Sequence, residues 1–169
     1  KKPVGLILSG INRGMNVAED VTYSGTIAAA MEGALLEIPS IAISQMLLDR
    51  DVTDWKTAEH FIPRILKKLQ GFSWPKNNLL SINLPAVAPK KVKGIRIAEQ
   101  GIRKIGEKLD ARIDPKGRPY YWIGGVHLNA GNDLPGKDFT LLKQGYVTIT
   151  PLCMNLTNRE MIKDLRQQM

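Results

Sequence analysis

Residues Val4 to Ser44 read VGLILSGINRGMNVAEDVTYSGTIAAAMEGALLEIPSIAIS. The short apolar run from Val4 to Leu8 predicts a buried strand that closes at a Ser-Gly pair. Thr26 to Leu36, rich in Ala, Leu and Met, predicts a helix that Pro39 ends. Ser40 to Ser44 predicts a second strand. Strand, helix and strand within about forty residues form a βαβ unit, which predicts two parallel strands.

Further elements are predicted after this unit. Apolar residues recur at helical spacing from Trp55 to Leu69, where Pro63 marks a kink or the true start of the helix. Thr157 and Glu160 form a capping-box pattern at the start of a final helix. The remaining predicted elements are strands at Leu79–Leu84, Tyr120–Ile123 and Gly145–Pro151, and the final helix at Asn158–Met169. The order predicts an α/β fold, with residues 1–169 in a single domain.

The positive charge of the chain is concentrated in its middle. The net charge is +8, and residues 90–118 carry ten Lys or Arg against four Asp or Glu. Because glycine and proline punctuate this stretch, we interpret residues 89–119 as a basic extension or hairpin that projects from the core. A solvated or interface surface is one interpretation and nucleic-acid binding is the other. Residues 90–118 contain no aromatic side chain that bases would stack on, which makes nucleic acid an improbable partner.

Nothing in the sequence predicts a membrane span, because no apolar run approaches the roughly 20 residues that a bilayer requires. Lys1-Lys2 and the run to Leu8 resemble a signal peptide weakly, but that run is short and polar Asn12 and Arg13 follow. Cys153 is the single cysteine, which excludes a disulfide framework and suggests a small core residue. We therefore expect a cytoplasmic protein.

Candidate chemistry lies between the first strand and the first helix. In open α/β sheets, ligands bind beyond the carboxyl ends of the strands, and a helix start attracts phosphate through its unpaired N–H groups. Ser24, Gly25 and Thr26 stand at that helix start and offer two hydroxyls and close backbone approach. Taken alone, the same tripeptide is better explained as a capping turn with Ser24 as N-cap.

Asn12 and Asn16 offer amide oxygens to a hard cation such as Mg²⁺ or Mn²⁺, although an Asx turn also explains Asn12. Glu19-Asp20 is interpreted either as metal ligands or as acids favoured by the first turn of a helix. A single neutral amide does not hold a divalent cation, so a metal site requires carboxylates as well.

The two histidines carry little chemistry. His60 and His127 have no second histidine at metal-ligand spacing. We interpret His60 as a structural histidine and His127, after Gly124-Gly125, as a loop residue.

The combination of SGIN, RGMN, EDVTYSGTIAAAMEG and IPSIAIS closely resembles the survival protein E (SurE) family. The resemblance continues through SINLP, KGIRIAEQG, YYWIGG and GYVTITPL, so it covers nearly the whole chain. It implies a Rossmann-like three-layer α/β sandwich with a projecting hairpin and a C-terminal helix. It also implies a cytoplasmic, metal-dependent nucleotidase that removes phosphate from nucleoside monophosphates with one divalent cation. A homodimer or homotetramer, formed partly through the hairpin and exchanged C-terminal elements, is implied as well.

The resemblance assigns roles to individual residues. Asn12 matches the metal-binding asparagine of SGIN, and Ser24, Gly25 and Thr26 match the phosphate-contacting YSGT turn. The family's other metal ligands are an adjacent Asp-Asp in an NDDG motif and a serine, both of which precede the SGIN strand. No NDDG occurs in the 169 residues, so the catalytic residues are not identified and we expect little or no catalysis from this chain alone.

Two function classes stay open beside the nucleotidase. The first is a non-catalytic nucleotide- or phosphate-binding α/β protein, or a subunit that acts by oligomerising. Nucleotide binding without turnover and without sensitivity to EDTA would favour it. The second is a nucleic-acid-binding module, which a steep fall in affinity with added salt would indicate.

Overall fold

The computed structural model describes residues 3–47, 54–102, 109–123 and 134–169. Strands and helices alternate along the first half of the chain. In the second half three strands follow one another, and two helices then flank the last strand. In chain order the elements are β1 (Ile7–Arg13), α1 (Gly25–Leu35), β2 (Ser40–Gln45), α2 (Lys56–Lys68), β3 (Asn78–Leu84), β4 (Ile95–Ile97), β5 (Leu109–Ile113), β6 (Pro119–Ile123), α3 (Asp138–Lys143), β7 (Val147–Cys153) and α4 (Arg159–Gln168). Short 3₁₀ turns lie at Ala18–Thr22 and Pro89–Lys91.

Five of these strands form a mixed sheet in the order β1-β2-β3-β7-β4. β1, β2 and β3 run parallel, so the predicted βαβ unit is confirmed. β7 pairs antiparallel with β3, and β4 pairs parallel with β7. The carboxyl ends of β1, β2 and β3 therefore meet at one edge of the sheet, which is where α/β proteins bind their ligands.

Alternate residues of the central strands face opposite helices, as the period of two in a strand requires. Ile41, Ile43 and Ile82 form a cluster with residues of α2 on one face. Ala42 and Leu79 form a second cluster with α1 on the other face. The predicted α/β sandwich with three layers is confirmed.

The first strand lies later in the chain than predicted. β1 begins at Ile7 and continues through the SGIN segment to Arg13, with an irregular register between Ser9 and Asn12. Gly10 permits this continuation, because it has a φ of 131° and a Cβ there would collide with the Ile43 carbonyl oxygen. Leu8 is 48% exposed rather than buried, because β1 is the first strand of the described sheet and pairs only with β2 there.

The basic stretch divides into two structural parts. Ile95–Ile97 was expected in the projecting extension, but it forms β4 and lies in the main sheet. The reason is burial, because Val92 and Ile95 pack against the core cluster that includes α2. Among the described residues, β5 and β6 pair only with each other, and they form an antiparallel hairpin over 109–123, so a hairpin is confirmed.

Two smaller predictions near the C-terminus are wrong. Asn158 rather than Thr157 caps α4, because its side-chain oxygen accepts hydrogen bonds from the N–H groups of Glu160 and Met161. Cys153 is exposed rather than in the core, because it is the last residue of β7 and lies on the same face of the strand as exposed Pro151.

Candidate functional site

The site lies where the end of β1 meets the start of α1. Thr26 in the first turn of α1 donates its hydroxyl to Asn12 Oδ1 over 3.3 Å, a long hydrogen bond. Asn12 Nδ2 donates to the Gly14 carbonyl oxygen over 2.9 Å. Because the amide nitrogen is held by Gly14, the amide oxygen points toward the start of α1. The structure therefore brings together the predicted metal-binding Asn12 and the predicted phosphate-binding Thr26.

Ser24 is the N-cap of α1, which confirms the capping interpretation of the tripeptide. Its hydroxyl accepts a hydrogen bond from Ile27 N over 3.2 Å, and its carbonyl accepts one from Ala28 N over 2.9 Å. The N–H groups of Gly25 and Thr26 lie in the first turn, where a helix supplies no internal acceptor. Capping and anion binding are compatible here, because capping uses the Ser24 oxygen and leaves these two donors directed away from the helix.

The space in front of this turn is open. Gly25 is exposed, and a Cβ built on it would meet no atom of the described residues within 4 Å. Glycine is therefore not required here by the protein's own packing. The open space leaves room for a ligand to approach the backbone.

Asn16 is a buried residue of the loop, and its hydrogen bonds hold the loop in place. It is 7% exposed, and its side-chain nitrogen donates to Ser44 Oγ over 2.8 Å. Its main chain is held by Asn83, whose Oδ1 accepts from Asn16 N over 2.8 Å and whose Nδ2 donates to Asn16 O over 3.0 Å. The side chain of Asn83 thus pairs with the loop as a neighbouring strand would.

Asn83 is a residue whose role the sequence interpretation missed. It is fully buried in β3, within the SINLP segment. A lone amide between apolar neighbours in a strand was the available signal, since buried polar groups need specific partners.

One member of the acidic pair beside the site, Asp20, has a local structural role. Asp20 Oδ2 accepts a hydrogen bond over 3.2 Å from the N–H of Val17, which precedes the Ala18–Thr22 3₁₀ turn. This is a contact that an acidic residue in the first turn of a helix makes. This contact favours the first-turn interpretation of Asp20 over metal binding.

The residues present do not complete a site for a divalent cation. Asn12 offers one amide oxygen, and a Mg²⁺ ion prefers about six oxygen ligands. Within residues 3–47, 54–102, 109–123 and 134–169, no group of three or more His, Cys, Asp or Glu could hold a metal. The described residues therefore do not fit the cation by themselves.

Asp138 also went unnoticed in the sequence. It is the first residue of α3 and is 1% exposed. Its carboxylate accepts hydrogen bonds from the N–H groups of Ala18, Gly101 and Phe139. Burial raises the pKa of Asp138, the three hydrogen bonds lower it, and nearby Glu19 raises it further, with a net increase. An acid at the start of a short helix is common, so the sequence offered only a weak signal.

The histidines lie away from these contacts or outside the described residues. His60 is on α2, on the opposite face of the sheet from α1, and its ring meets the Phe61 ring edge-on at 4.9 Å between centroids. This agrees with a structural role. His127 falls in the range 124–133, outside the described residues.

No helix in the described part of the chain is long and apolar enough to cross a membrane. The comparisons with known proteins then converge on one family. Residues 1–107 match the family model described as Survival protein SurE. The chain is 47% identical over 165 residues to the "5′-nucleotidase SurE" of Paramagnetospirillum magneticum and covers 63% of that protein with 98% of its own length. It is 41% identical to the protein of the same name from Caulobacter vibrioides, covering 62% of it with 95% of its own length.

A solved structure agrees with these sequence matches. The SurE protein from Aquifex aeolicus superposes with a TM-score of 0.79 at 38% identity, over 99% of this chain and 66% of that one. The chain thus spans slightly less than two thirds of the length of the relatives it matches. The fold and the sequence matches together show that the chain belongs to the SurE family.

Proposed function

We propose that this protein hydrolyses nucleoside monophosphates to a nucleoside and inorganic phosphate. The proposal is supported by the name 5′-nucleotidase that its curated relatives carry. The observation that carries it in the structure is the contact between Thr26 and Asn12, because the family resemblance assigns the first residue to phosphate binding and the second to metal binding. A site that combines anion-binding N–H groups with a ligand for a cation suits a phosphomonoester, because the N–H groups and the cation would both neutralise its negative charge.

Each residue of the turn has a distinct part in this proposal. The N–H groups of Gly25 and Thr26 would donate to phosphate oxygens at the positive end of the α1 dipole. The hydroxyl of Thr26 donates to Asn12 and would donate to a phosphate oxygen instead when the substrate is bound. Ser24 would hold the turn rigid through its cap. Asn16 would act indirectly, because its amide is already bonded to Ser44.

A divalent cation, Mg²⁺ or Mn²⁺, belongs to the proposal through the family resemblance. Asn12 would supply one oxygen ligand, since its amide oxygen faces the start of α1. The family's Asp-Asp pair and serine would supply the rest, and the described residues contain no substitute for them. We therefore derive no catalytic step through the cation from this structure.

The hairpin and the C-terminal helix are the proposed contacts of a homodimer or homotetramer. Leu109, Ile113, Tyr121 and Trp122 on the hairpin are all more than half exposed. α4 has no buried residue. Apolar side chains exposed on such elements suit an interface between copies of the chain. A cytoplasmic location is proposed with it.

Phosphate release from a panel of nucleoside monophosphates tests the function. We would assay this chain and a longer chain that carries an upstream Asp-Asp segment, each with Mn²⁺ and with EDTA. Mn²⁺-dependent release by the longer chain alone is the expected result. Absence of release from both chains, with folding verified by circular dichroism, would overturn the proposal.

The second candidate is a non-catalytic nucleotide- or phosphate-binding protein. It is favoured by one observation, namely that the described residues include no group of acidic side chains that could hold a metal, while the helix start proposed for the phosphate is present. Calorimetric binding of a nucleotide to the longer chain, unaffected by EDTA and without turnover, would select it over the nucleotidase.

A further inference from the structure

We infer that Asp138 is a positioning residue that fixes the loop leading from Asn12 to the phosphate-binding turn. The inference rests on the proposed function, because it concerns the geometry of that same site. Asp138 lies on α3, 120 positions after Ala18 in the chain. Its carboxylate accepts a hydrogen bond from the main-chain N–H of Ala18 in the loop.

The loop is held at three consecutive N–H groups, each by a different side chain. Asn16 N donates to Asn83, Val17 N to Asp20 and Ala18 N to Asp138, the last over 3.0 Å. Of these acceptors, only Asp138 is a buried carboxylate from a separate helix. Hydrogen bonds to a charged acceptor are stronger than neutral ones, so the Asp138 carboxylate is a firm anchor that ties the loop to α3.

Ala18 needs such an anchor because of its backbone. It has a φ of 51°, in the left-handed region that alanine adopts only at a cost. Its carbonyl accepts a hydrogen bond from Gln100 Nε2 over 2.9 Å, so both backbone polar groups of Ala18 are bound by side chains. Local strain of this kind persists only where surrounding contacts over-determine it.

The carboxylate fits its place closely. Oδ1 accepts from Gly101 N over 2.9 Å and from Phe139 N over 2.7 Å, while Oδ2 accepts from Ala18. A Cβ on Gly101 would stand 3.0 Å from Asp138 Oδ1 and 3.4 Å from the Lys137 side chain. Glycine at position 101 therefore allows the carboxylate to reach all three donors.

A displacement at Ala18 would reach the phosphate-binding turn through packed structure. Ala18 opens the short turn that ends at Thr22, two residues before Ser24. Val21 within that turn packs in the same cluster as Ile27 of α1. The turn and the start of α1 are thus in contact, and a close-packed core transmits a shift rather than absorbing it.

The test compares Asp138→Asn with Asp54→Asn in the longer chain that carries the Asp-Asp segment. Asparagine keeps the shape of Asp138 but has one acceptor oxygen, so it cannot serve three donors on two sides. Asp54 is the matched control, since it also accepts a backbone N–H, that of Lys56 over 3.0 Å, but on an exposed surface. Val17 packs with Phe139 and Leu142, so the loop and α3 keep an apolar contact and the variant is expected to fold.

Two readouts are measured well below the melting temperature. The first is hydrogen exchange of the Ala18 amide by NMR, which we expect to accelerate at least tenfold in Asp138→Asn only. The second is KM and kcat for a nucleoside monophosphate, where misplacement of about 1 Å costs up to about 100-fold in kcat/KM. We expect KM to rise, whereas a variant that merely unfolds in part would lower the apparent kcat and leave KM unchanged.

The outcomes separate the two proposals. If the longer chain without substitutions releases no phosphate, the proposed function fails whatever the result for Asp138. If the wild type is active and Asp138→Asn speeds Ala18 exchange without moving KM, the loop is anchored but does not position the site, and the inference is overturned. Unchanged Ala18 exchange would overturn it equally. Gly101→Ala, which crowds the carboxylate without removing it, should give a milder form of the same two effects.

Discussion

Thr26 and Asn12 lie 14 residues apart and meet through a hydrogen bond of 3.3 Å between hydroxyl and amide oxygen. This contact joins the SGIN strand to the YSGT turn. It leaves the Asn12 oxygen facing the positive end of a helix, where both a cation ligand and an anion would be close.

If the proposed function holds, replacing Asn12 with alanine should weaken metal binding by the longer chain. The amide oxygen is lost while β1 stays paired with β2, so we expect a higher Mn²⁺ concentration for half-maximal activity and a lower rate at saturation. A Mn²⁺ titration of phosphate release measures both. Asn78→Ala is the control, because Asn78 also donates its amide to a carbonyl two residues away, that of Lys76, but far from the turn. An unchanged titration in Asn12→Ala would count against its role as a ligand.

Thr26→Val tests the hydroxyl separately from the shape of the side chain. Valine is close in size to threonine but cannot donate, and a hydrogen bond to a charged group contributes about 1.5–3 kcal/mol. We expect KM for the nucleotide to rise about tenfold or more, measured by initial rates. Thr26→Ser keeps the hydroxyl and should remain near wild type. Equal KM values in both variants would show that the hydroxyl does not contact the phosphate.

The sequence predicted the contacts of this site that join neighbouring residues, but not the contacts between residues far apart in the chain. Ser24 capping α1 could be read from neighbouring residues, because a cap depends on a few consecutive positions. Asn83 and Asp138 bond the loop from 67 and 120 positions away, and no local pattern reports such contacts. β4 was misassigned for the same reason, since its place in the sheet depends on β7, some fifty residues later.

Asn83→Leu should destabilise the fold. Asn83 is fully buried and satisfies both the N–H and the carbonyl of Asn16, so leucine would leave two buried polar groups without partners. Each such group costs about 1–3 kcal/mol. We expect the urea midpoint to fall by an amount that corresponds to about 2–6 kcal/mol in total. The control is Asn78→Leu, whose side-chain bond is exposed and whose effect should be within about 0.5 kcal/mol. A midpoint that did not move in Asn83→Leu would contradict the role given to this amide.

The pH dependence of stability should differ between the wild type and Asp138→Asn in a defined direction. Burial raises the pKa of Asp138 above its ordinary value of 3.8, so the folded state holds this proton more tightly than the unfolded state does. As pH rises from about 3.8 through the folded pKa, the unfolded chain binds fewer protons than the folded one, and the contribution of Asp138 to stability falls. The unfolding free energy of wild type minus that of Asp138→Asn should therefore decrease across this window, by at most about 1.4 kcal/mol per pH unit, and then level off.

Urea titrations at half-unit pH steps measure this difference, and subtracting the variant removes the titration of the groups that both chains share. Asp114→Asn provides a control of opposite sign. The hydrogen bond from Arg118 N lowers the pKa of Asp114, so its contribution is present above 3.8 and is lost as pH falls through the lowered value. The unfolding free energy of wild type minus that of Asp114→Asn should rise with pH below 3.8 and stay constant above it. A difference for Asp138 that rose with pH would mean that the three N–H donors outweigh burial and hold the carboxylate ionised, which would reverse the balance inferred for this residue.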